Sequence, residues 1–261
     1  MRACAGTAGR RVGPVVAVVA ALLVTLGLAG CDVLSSGGTA APGAAAPSAG
    51  TSSHGVVQNG VLLNGSVPSP TARPASAVLA TITVRSASSR TKYVRDKFGP
   101  AWADVDHNSC DTRDDILHRD LTLIRTQTKD RCIVTSGELR DPYTARVIRF
   151  SRGANSAKIQ IDHVVPLGNA WYDGASSWTA TKRETFANDP LNLLAVDGPT
   201  NGAKGDSDAS EWLPPNTAYQ CAYVARQIGI KSRYGLSVTS AEAAAMKRVL
   251  SRCPGQMTLG V

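Results

Sequence analysis

The residues best suited to chemistry gather around one adjacent pair, Asp162-His163. An imidazole with an ordinary pKa of about 6.5 is mostly neutral at pH 7, so it can take a proton from water. His163 is one of four histidines. His54 falls in a low-complexity stretch, and His107 and His118 have no motif around them and read as structural or exposed. Asp104 and Asp106 resemble the start of a calcium loop, but the required glycine and distal glutamate are missing. An Asp–His step alone is more often a surface ion pair or a turn than a catalytic centre. Two asparagines downstream raise its value: Asn192 enters an apolar strand, and Asn201 falls beside a helix start with Lys204 three residues on.

Those residues need elements to bring them together. Lys158 to Val165 reads as a strand with Ile159 and Ile161 on one face. Neighbouring strand residues point to opposite faces, so Asp162 and His163 can serve one site only where the strand ends and bends; Pro166 supplies that ending. Trp178 to Asn188 predicts a short helix capped by Thr179 or Thr181, and Leu191 to Val196 a second strand. Asp197-Gly198-Pro199 has the form of a helix start, with Asp as N-cap and Pro in the first turn. Upstream, Ile116, Leu117, Leu121 and Ile124 recur at helical steps and predict a helix over 111–129. Cys132 to Glu138 and Arg146 to Phe150 read as strands around an Asp141-Pro142-Tyr143 turn. Val78 to Arg85 fits either a helix or a strand. Two C-terminal helices, 222–228 and 241–250 opened by Ser240, close the chain. The order is strand, inserted helix, strand, short helix, within helical flanks. Trp171, Trp178, Trp212 and Tyr172 sit beside element ends and read as core or anchoring residues rather than base-stacking platforms.

At IDHVVPLGNAW (161–171), FANDPLNLLAV (186–196) and NGAKGDSDASEWLP (201–214) the chain resembles the HNH endonuclease family. More narrowly, it is similar to an exported actinobacterial branch related to the C-terminal domain of the GmrSD restriction enzymes. YVRDKFG (93–99), CDTRDDILHRDL (110–121) and SGELRDPYTARVIRF (136–150) extend the similarity over most of residues 90–253. The resemblance implies an α+β fold with a ββα-metal core. It implies that Asp162 and Asn201 ligate a divalent ion and that His163 is the general base activating water. Asn192 would hold the loop and orient His163 through a hydrogen bond. Asn201 stands where many members carry a final histidine, and an Asp-plus-Asn oxygen set suits Mg²⁺, or Mn²⁺, better than zinc. Phosphodiester hydrolysis also calls for cations on the phosphate: Arg149, Arg152 and Lys204 are the candidates, because a guanidinium can bracket phosphate oxygens and an ammonium can pair with them. The implied activity is a nuclease of low sequence specificity acting on DNA, with RNA as the alternative substrate. No helix-turn-helix or zinc finger accompanies it, and a serine hydrolase is disfavoured by the lack of a G-x-S-x-G elbow. The competing reading is a catalytically silent cell-envelope binding domain on the same fold. No protein partner is predicted, and the chain is expected to act as a monomer.

The first third has a different composition. Arg2, Arg10 and Arg11 precede an apolar run from Pro14 to Ala29, and Leu28-Ala29-Gly30-Cys31 matches a bacterial lipobox. Residues 1–30 are thus expected to be a lipoprotein signal and Cys31 the lipidation site, giving an exported protein held to the membrane outside the cell or secreted. Residues 31–77, rich in Gly, Ala, Ser, Thr and Pro, read as a flexible tether, with a weak hairpin within 55–67. Residues 78–261 form the expected nuclease domain. Cys110, Cys132, Cys221 and Cys253 remain beyond the signal; export favours two disulfides, with Cys110–Cys132 and Cys221–Cys253 the preferred pairing of three. The formal charge of +8 falls to +5 once the signal's three arginines are gone, which favours an anionic partner without identifying it.

Overall fold

The computed structural model describes residues 71–89 and 91–259, together with the backbone of a small hairpin, β1 (Val57–Gln58) and β2 (Val61–Leu62), paired antiparallel. The chain divides into two units, Met1–Thr51 and Ser52–Val261, and every described residue belongs to the second. The signal, Cys31, His54 and most of the tether lie outside the described residues. Packing begins before Val78. Ala75 is buried in α1 (Ala75–Leu79), and the Arg73 carbonyl accepts from the Thr258 N–H at 2.8 Å.

The elements that follow are α2 (Thr112–Asp120), β3 (Leu121–Thr126), β4 (Val134–Arg140), β5 (Val147–Ser151), β6 (Ile159–His163), α3 (Leu167–Tyr172), α4 (Ala180–Ala187), β7 (Leu193–Asp197), α5 (Gly198–Lys204), α6 (Gln220–Tyr234) and α7 (Ser240–Leu250). The fold is mixed α+β: an antiparallel sheet β3-β4-β5 and a separate antiparallel pair β6-β7 lie among helices.

The β6–β7 pair is buried on both faces, which explains its nearly unbroken apolar sequence. Ile159, Ile161, Leu193 and Ala195 pack with Ile116, Leu117, Leu139 and Phe150 of the sheet and α2. Leu194 and Val196, on the alternate positions, pack with α1, α6 and α7. A third cluster, around Phe98, Trp171, Phe186 and Tyr234, continues the core beyond the end of β6. Gly198 is required where α5 leaves β7, since a Cβ there would stand 2.1 Å from the Ala157 carbonyl oxygen.

Local signals at helix starts hold. Thr179 caps α4 and Asp197 caps α5, each side chain accepting a backbone N–H three residues on. At α7 the cap is Thr239 rather than Ser240; its hydroxyl accepts from the Glu242 N–H at 3.0 Å. The helix expected over 111–129 stops at Asp120. The buried Asp120 carboxylate is taken by Arg119 and the Ala195 N–H, and the chain turns at Leu121 to pair with β4. Ile124, which completed the helical spacing, is 38% exposed, and its neighbour Leu123 is 75% exposed. Both preferred disulfides are present, Cys110–Cys132 and Cys221–Cys253.

A buried charge cluster ties α6 to α7 and to the end of α3. Lys231 Nζ lies 2.8 Å from Asp173 and 2.7 Å from Glu242, with all three side chains sealed from solvent. Burial first, then the nearby Asp173 and Asp208 carboxylates, push Glu242 from the ordinary 4.5 up to about 7 against the pull of Lys231. A carboxyl whose pKa is raised by folding contributes stability that is full below its unfolded pKa and lost as pH rises through the folded one. Glu242→Gln should therefore flatten the pH dependence between pH 4.5 and 7. The wild type should lose on the order of 3 kcal/mol more than the variant across that window, read from urea midpoints; parallel profiles would refute the assignment.

Candidate active site

Strand β6 ends at His163, and the next three residues form an irregular turn whose backbone groups are almost all taken. The Val164 N–H donates to the Asn192 carbonyl at 2.8 Å, and the Val164 carbonyl accepts from Gln227 Nε2 at 3.0 Å. Asn192, fully buried, brackets Val165: its Oδ1 accepts from the Val165 N–H at 2.9 Å and its Nδ2 donates to the Val165 carbonyl at 3.2 Å. The amide side chain thus substitutes for a missing strand partner.

The loop carrying Asn192 is itself pinned. Asp189 accepts from the Leu191 N–H and the Tyr234 hydroxyl, at 2.8 and 2.7 Å. The carbonyls of Pro190, Leu191 and Leu193 accept from the guanidinium of the buried Arg226, and those of Pro190 and Leu193 also from Arg119.

Asp162 and His163 leave the strand toward opposite sides, yet both line one cleft of ≈ 270 Å³ with Tyr93, Arg95, Trp102, Asn201 and Asp206. His163 is 8% exposed. Its Nε2 sits 2.8 Å from the Ala187 carbonyl, which can only accept, so Nε2 carries the proton and Nδ1 is the basic nitrogen. Trp102 stacks over the ring, centroids 6.2 Å apart at 11°. Burial pushes His163 down to about 3, with Arg95 and Lys204 adding to the shift and the Ala187 carbonyl opposing it. The imidazole is therefore neutral across the physiological range, and in this buried setting it is a weaker proton acceptor than a free imidazole.

Asp162 is held from both ends: Lys204 Nζ donates to its Oδ1 at 2.8 Å and the Tyr143 hydroxyl to its Oδ2 at 2.5 Å. Burial pushes its carboxyl up, and Lys204 and Tyr143 pull it down. Both oxygens accept, which is the geometry of the ionised form. Lys204 is 1% exposed and also donates to the His163 carbonyl at 2.8 Å.

The sequence-derived roles survive unevenly. Asn192 contacts the turn after His163, and the hydrogen bond that orients the ring comes from Ala187. Lys204 is a buried counter-ion rather than a phosphate contact. Arg152 is paired with Asp114 and donates to the Val134 carbonyl, and Arg149, on the outer face of the sheet, lies 3.3 Å from Glu138. Neither lines the cleft; the exposed cation that does is Arg95. Arg95, Trp102, Tyr143, Ala187 and Asp206 were not singled out from sequence. Arg95 lies within YVRDKFG, Tyr143 in the Asp-Pro-Tyr turn and Asp206 closes NGAKGD, whereas nothing in the pattern marks Trp102. The Asp104–Asp106 loop is closed by its own bonds, the two carboxylates accepting from the backbone N–H groups of Asn108 and Ser109.

The donor chemistry at the cleft fits a hard divalent ion bound by few protein groups. Each Asp162 oxygen takes one hydrogen-bond partner and keeps a second lone pair. Asn201 Nδ2 donates to Gln160 Oε1 at 2.9 Å, which leaves its carbonyl oxygen as the acceptor. Asp206 supplies a further carboxylate at the rim. No group of three or more His, Cys, Asp or Glu side chains forms a self-sufficient metal cage among the described residues. Such an ion would complete its shell with water and phosphate, as Mg²⁺ does.

Comparison with known proteins follows the same region. The family model described as "GmrSD restriction endonucleases, C-terminal domain" matches residues 111–249, which include Asp162, His163, Asn192, Asn201 and Lys204. An uncharacterized secreted protein of the fungus Arthroderma benhamiae is 41% identical over 186 residues, covering 70% of this chain and 87% of that protein. No solved structure matches.

The ion pair gives a direct test. Lys204→Met strands a buried carboxylate and should cost about 3–5 kcal/mol, measured by urea unfolding without metal. In an Asp162→Asn background the same change should cost much less; equal costs in both backgrounds would show that the pair is not coupled.

Proposed function

The chain belongs to the family of the GmrSD restriction endonuclease C-terminal domain, and from that premise we propose that it is a metal-dependent endonuclease hydrolysing phosphodiester bonds, DNA first and RNA as the alternative. The reading places a ββα-metal core of the HNH type in β6, β7 and α5. The observation that carries it is geometric: His163, its tautomer fixed by the Ala187 carbonyl, lines one cleft with Asp162 and Asn201. His163 Nδ1 takes the proton of the attacking water, while the Ala187 carbonyl keeps the ring from rotating. Asp162 and Asn201 would hold one Mg²⁺, or Mn²⁺, in the cleft that Asp206 also lines; the ion would supply charge neutralisation at the phosphoryl and leaving oxygens. Arg95 pairs with a non-bridging phosphate oxygen. Asn192, Arg119 and Arg226 act through the backbone and are positioning residues.

The reading includes export, which is supported by two disulfides and by the secreted relative. Cys31 would carry the lipid if the chain is retained at the membrane. No helix among the described residues is long and apolar enough to cross a membrane.

Supercoiled plasmid and single-stranded RNA incubated with the exported chain in Mg²⁺, Mn²⁺ or EDTA test this reading. Cleavage should require the metal, and His163→Ala should lower it about 10²–10⁴-fold without changing the unfolding midpoint by a comparable amount. Asn201→Ala is the cleaner metal probe, because removing Asp162 also strands Lys204; it should raise the metal concentration needed for half-maximal cutting. A chain that binds nucleic acid but cuts under no metal would instead be the silent binding domain.

A further inference from the structure

A second cleft, of ≈ 390 Å³, lies between residues 209–213 and the C-terminal helices α6 and α7. Trp212, Leu213 and Val249 give it apolar walls, and Arg248, Arg252 and Glu211 its charge. Trp212 is held in place by two tyrosines meeting it edge-on, Tyr143 at 5.2 Å and Tyr223 at 5.6 Å between centroids. Neither arginine has a carboxylate within ion-pair distance among the described residues. Arg252 donates one of its five N–H groups to Gln220 Oε1 at 2.8 Å, which places the guanidinium and leaves the others available. Arg248 stands in the last turn of α7, where a cation also offsets the helix dipole. The dipole does not explain a tryptophan and a second arginine facing the same space.

The cleft is joined to the candidate active site in two ways. Tyr143, which packs on Trp212, donates to Asp162 Oδ2. The segment after α5 also borders both spaces: Gly205 and Asp206 line the first cleft and Ala209 to Leu213 the second. Asp206 and Ala209 are at most about 11 Å apart along extended chain, within reach of neighbouring nucleotides of one strand.

We propose that this cleft is a nucleotide subsite for the strand being cut: a base lies against Trp212 and the adjoining phosphates pair with Arg248 and Arg252. An indole wall with guanidinium groups is the chemistry that holds single-stranded nucleic acid without reading its sequence. A base can enter only if it is unstacked, so the substrate is single-stranded or opened where it crosses the 205–213 segment. The proposal rests on the nuclease reading above and adds the strandedness of its substrate.

The test uses the full exported chain, with fluorescently labelled single-stranded and duplex DNA of equal length in EDTA, followed by anisotropy over a range of salt. The single strand should bind more tightly. The Arg248→Ala/Arg252→Ala variant, both positions exposed, should lose about tenfold in affinity, and its salt slope should be shallower by about 1.4. Its metal-dependent cleavage of a minimal phosphodiester should match the wild type, since neither arginine belongs to the catalytic cleft. Unchanged affinity and slope in the variant would overturn the proposal, as would equal binding of duplex, or competition by an acidic peptide as strong as that by the oligonucleotide. Failure of the nuclease reading looks different: the wild type would cut neither the minimal diester nor nucleic acid with any metal, whatever its binding.

Discussion

The contact between Lys204 and Asp162 joins the last turn of α5 to the end of β6 inside the protein, where neither charge sees solvent. Taking two ions out of water costs several kcal/mol each, and the attraction between them offsets that only if their remaining hydrogen-bonding positions are filled. Here the Tyr143 hydroxyl takes the second carboxylate oxygen and the His163 carbonyl takes a second ammonium proton. These bonds constrain both elements at once. Asn201, one turn before Lys204, is carried to the cleft, and Gly205 and Asp206, just after it, form the rim. The oxygen atoms of the candidate site are therefore placed by a charge pair that is not itself open to substrate.

His163 depends on a different constraint, the satisfaction of irregular backbone in a buried turn. A strand that stops inside a core leaves N–H and C=O groups that must find partners. The Asn192 amide and Gln227 supply them for Val164 and Val165, and Arg119 and Arg226 do the same for the loop that presents Asn192. The ring then has one hydrogen-bond partner, the Ala187 carbonyl at the end of α4. That single bond selects the tautomer, while burial removes the incentive to hold a second proton. The helix inserted between the two strands thus brings its last carbonyl, that of Ala187, to the imidazole.

Much of this was legible in the chain, for reasons that differ by residue. Thr179, Asp197 and Pro199 announce helix starts because capping is local chemistry. The two strands around the insertion were visible because both faces are buried, which leaves an apolar run whatever the fold. The helix over 111–129 stops short because periodicity does not distinguish a core-facing Leu121 from the exposed Ile124; cross-strand pairing with β4 decides the matter. Lys204 illustrates the harder loss. A lysine on a short helix is usually solvated, and only the tertiary position of Tyr143, sixty residues upstream, shows that this one is sealed beside a carboxylate. Ala187 could not be found at all, since its contribution is a carbonyl that every residue possesses.

The charge distribution bears on how a phosphodiester would be received. Of the ionisable groups described at the cleft, Arg95 and the buried Lys204 balance Asp162 and Asp206, and His163 is neutral. The cleft alone therefore offers an anion no net attraction. The chain's excess of arginine and lysine lies elsewhere, with Arg125, Arg140 and Arg149 on the outer side of the three-stranded sheet and Arg248 and Arg252 by the second cleft. Long-range attraction by those cations would draw a polyanion to the surface, but it falls away within about one Debye length of ~8 Å at physiological salt. Under the nuclease reading, the last step into the site must then be driven by a cation bound to the oxygens of Asp162 and Asn201. Metal dependence would follow from electrostatics even before any chemistry is considered: without the ion, a scissile phosphate faces two carboxylates whose charge the protein has only just cancelled.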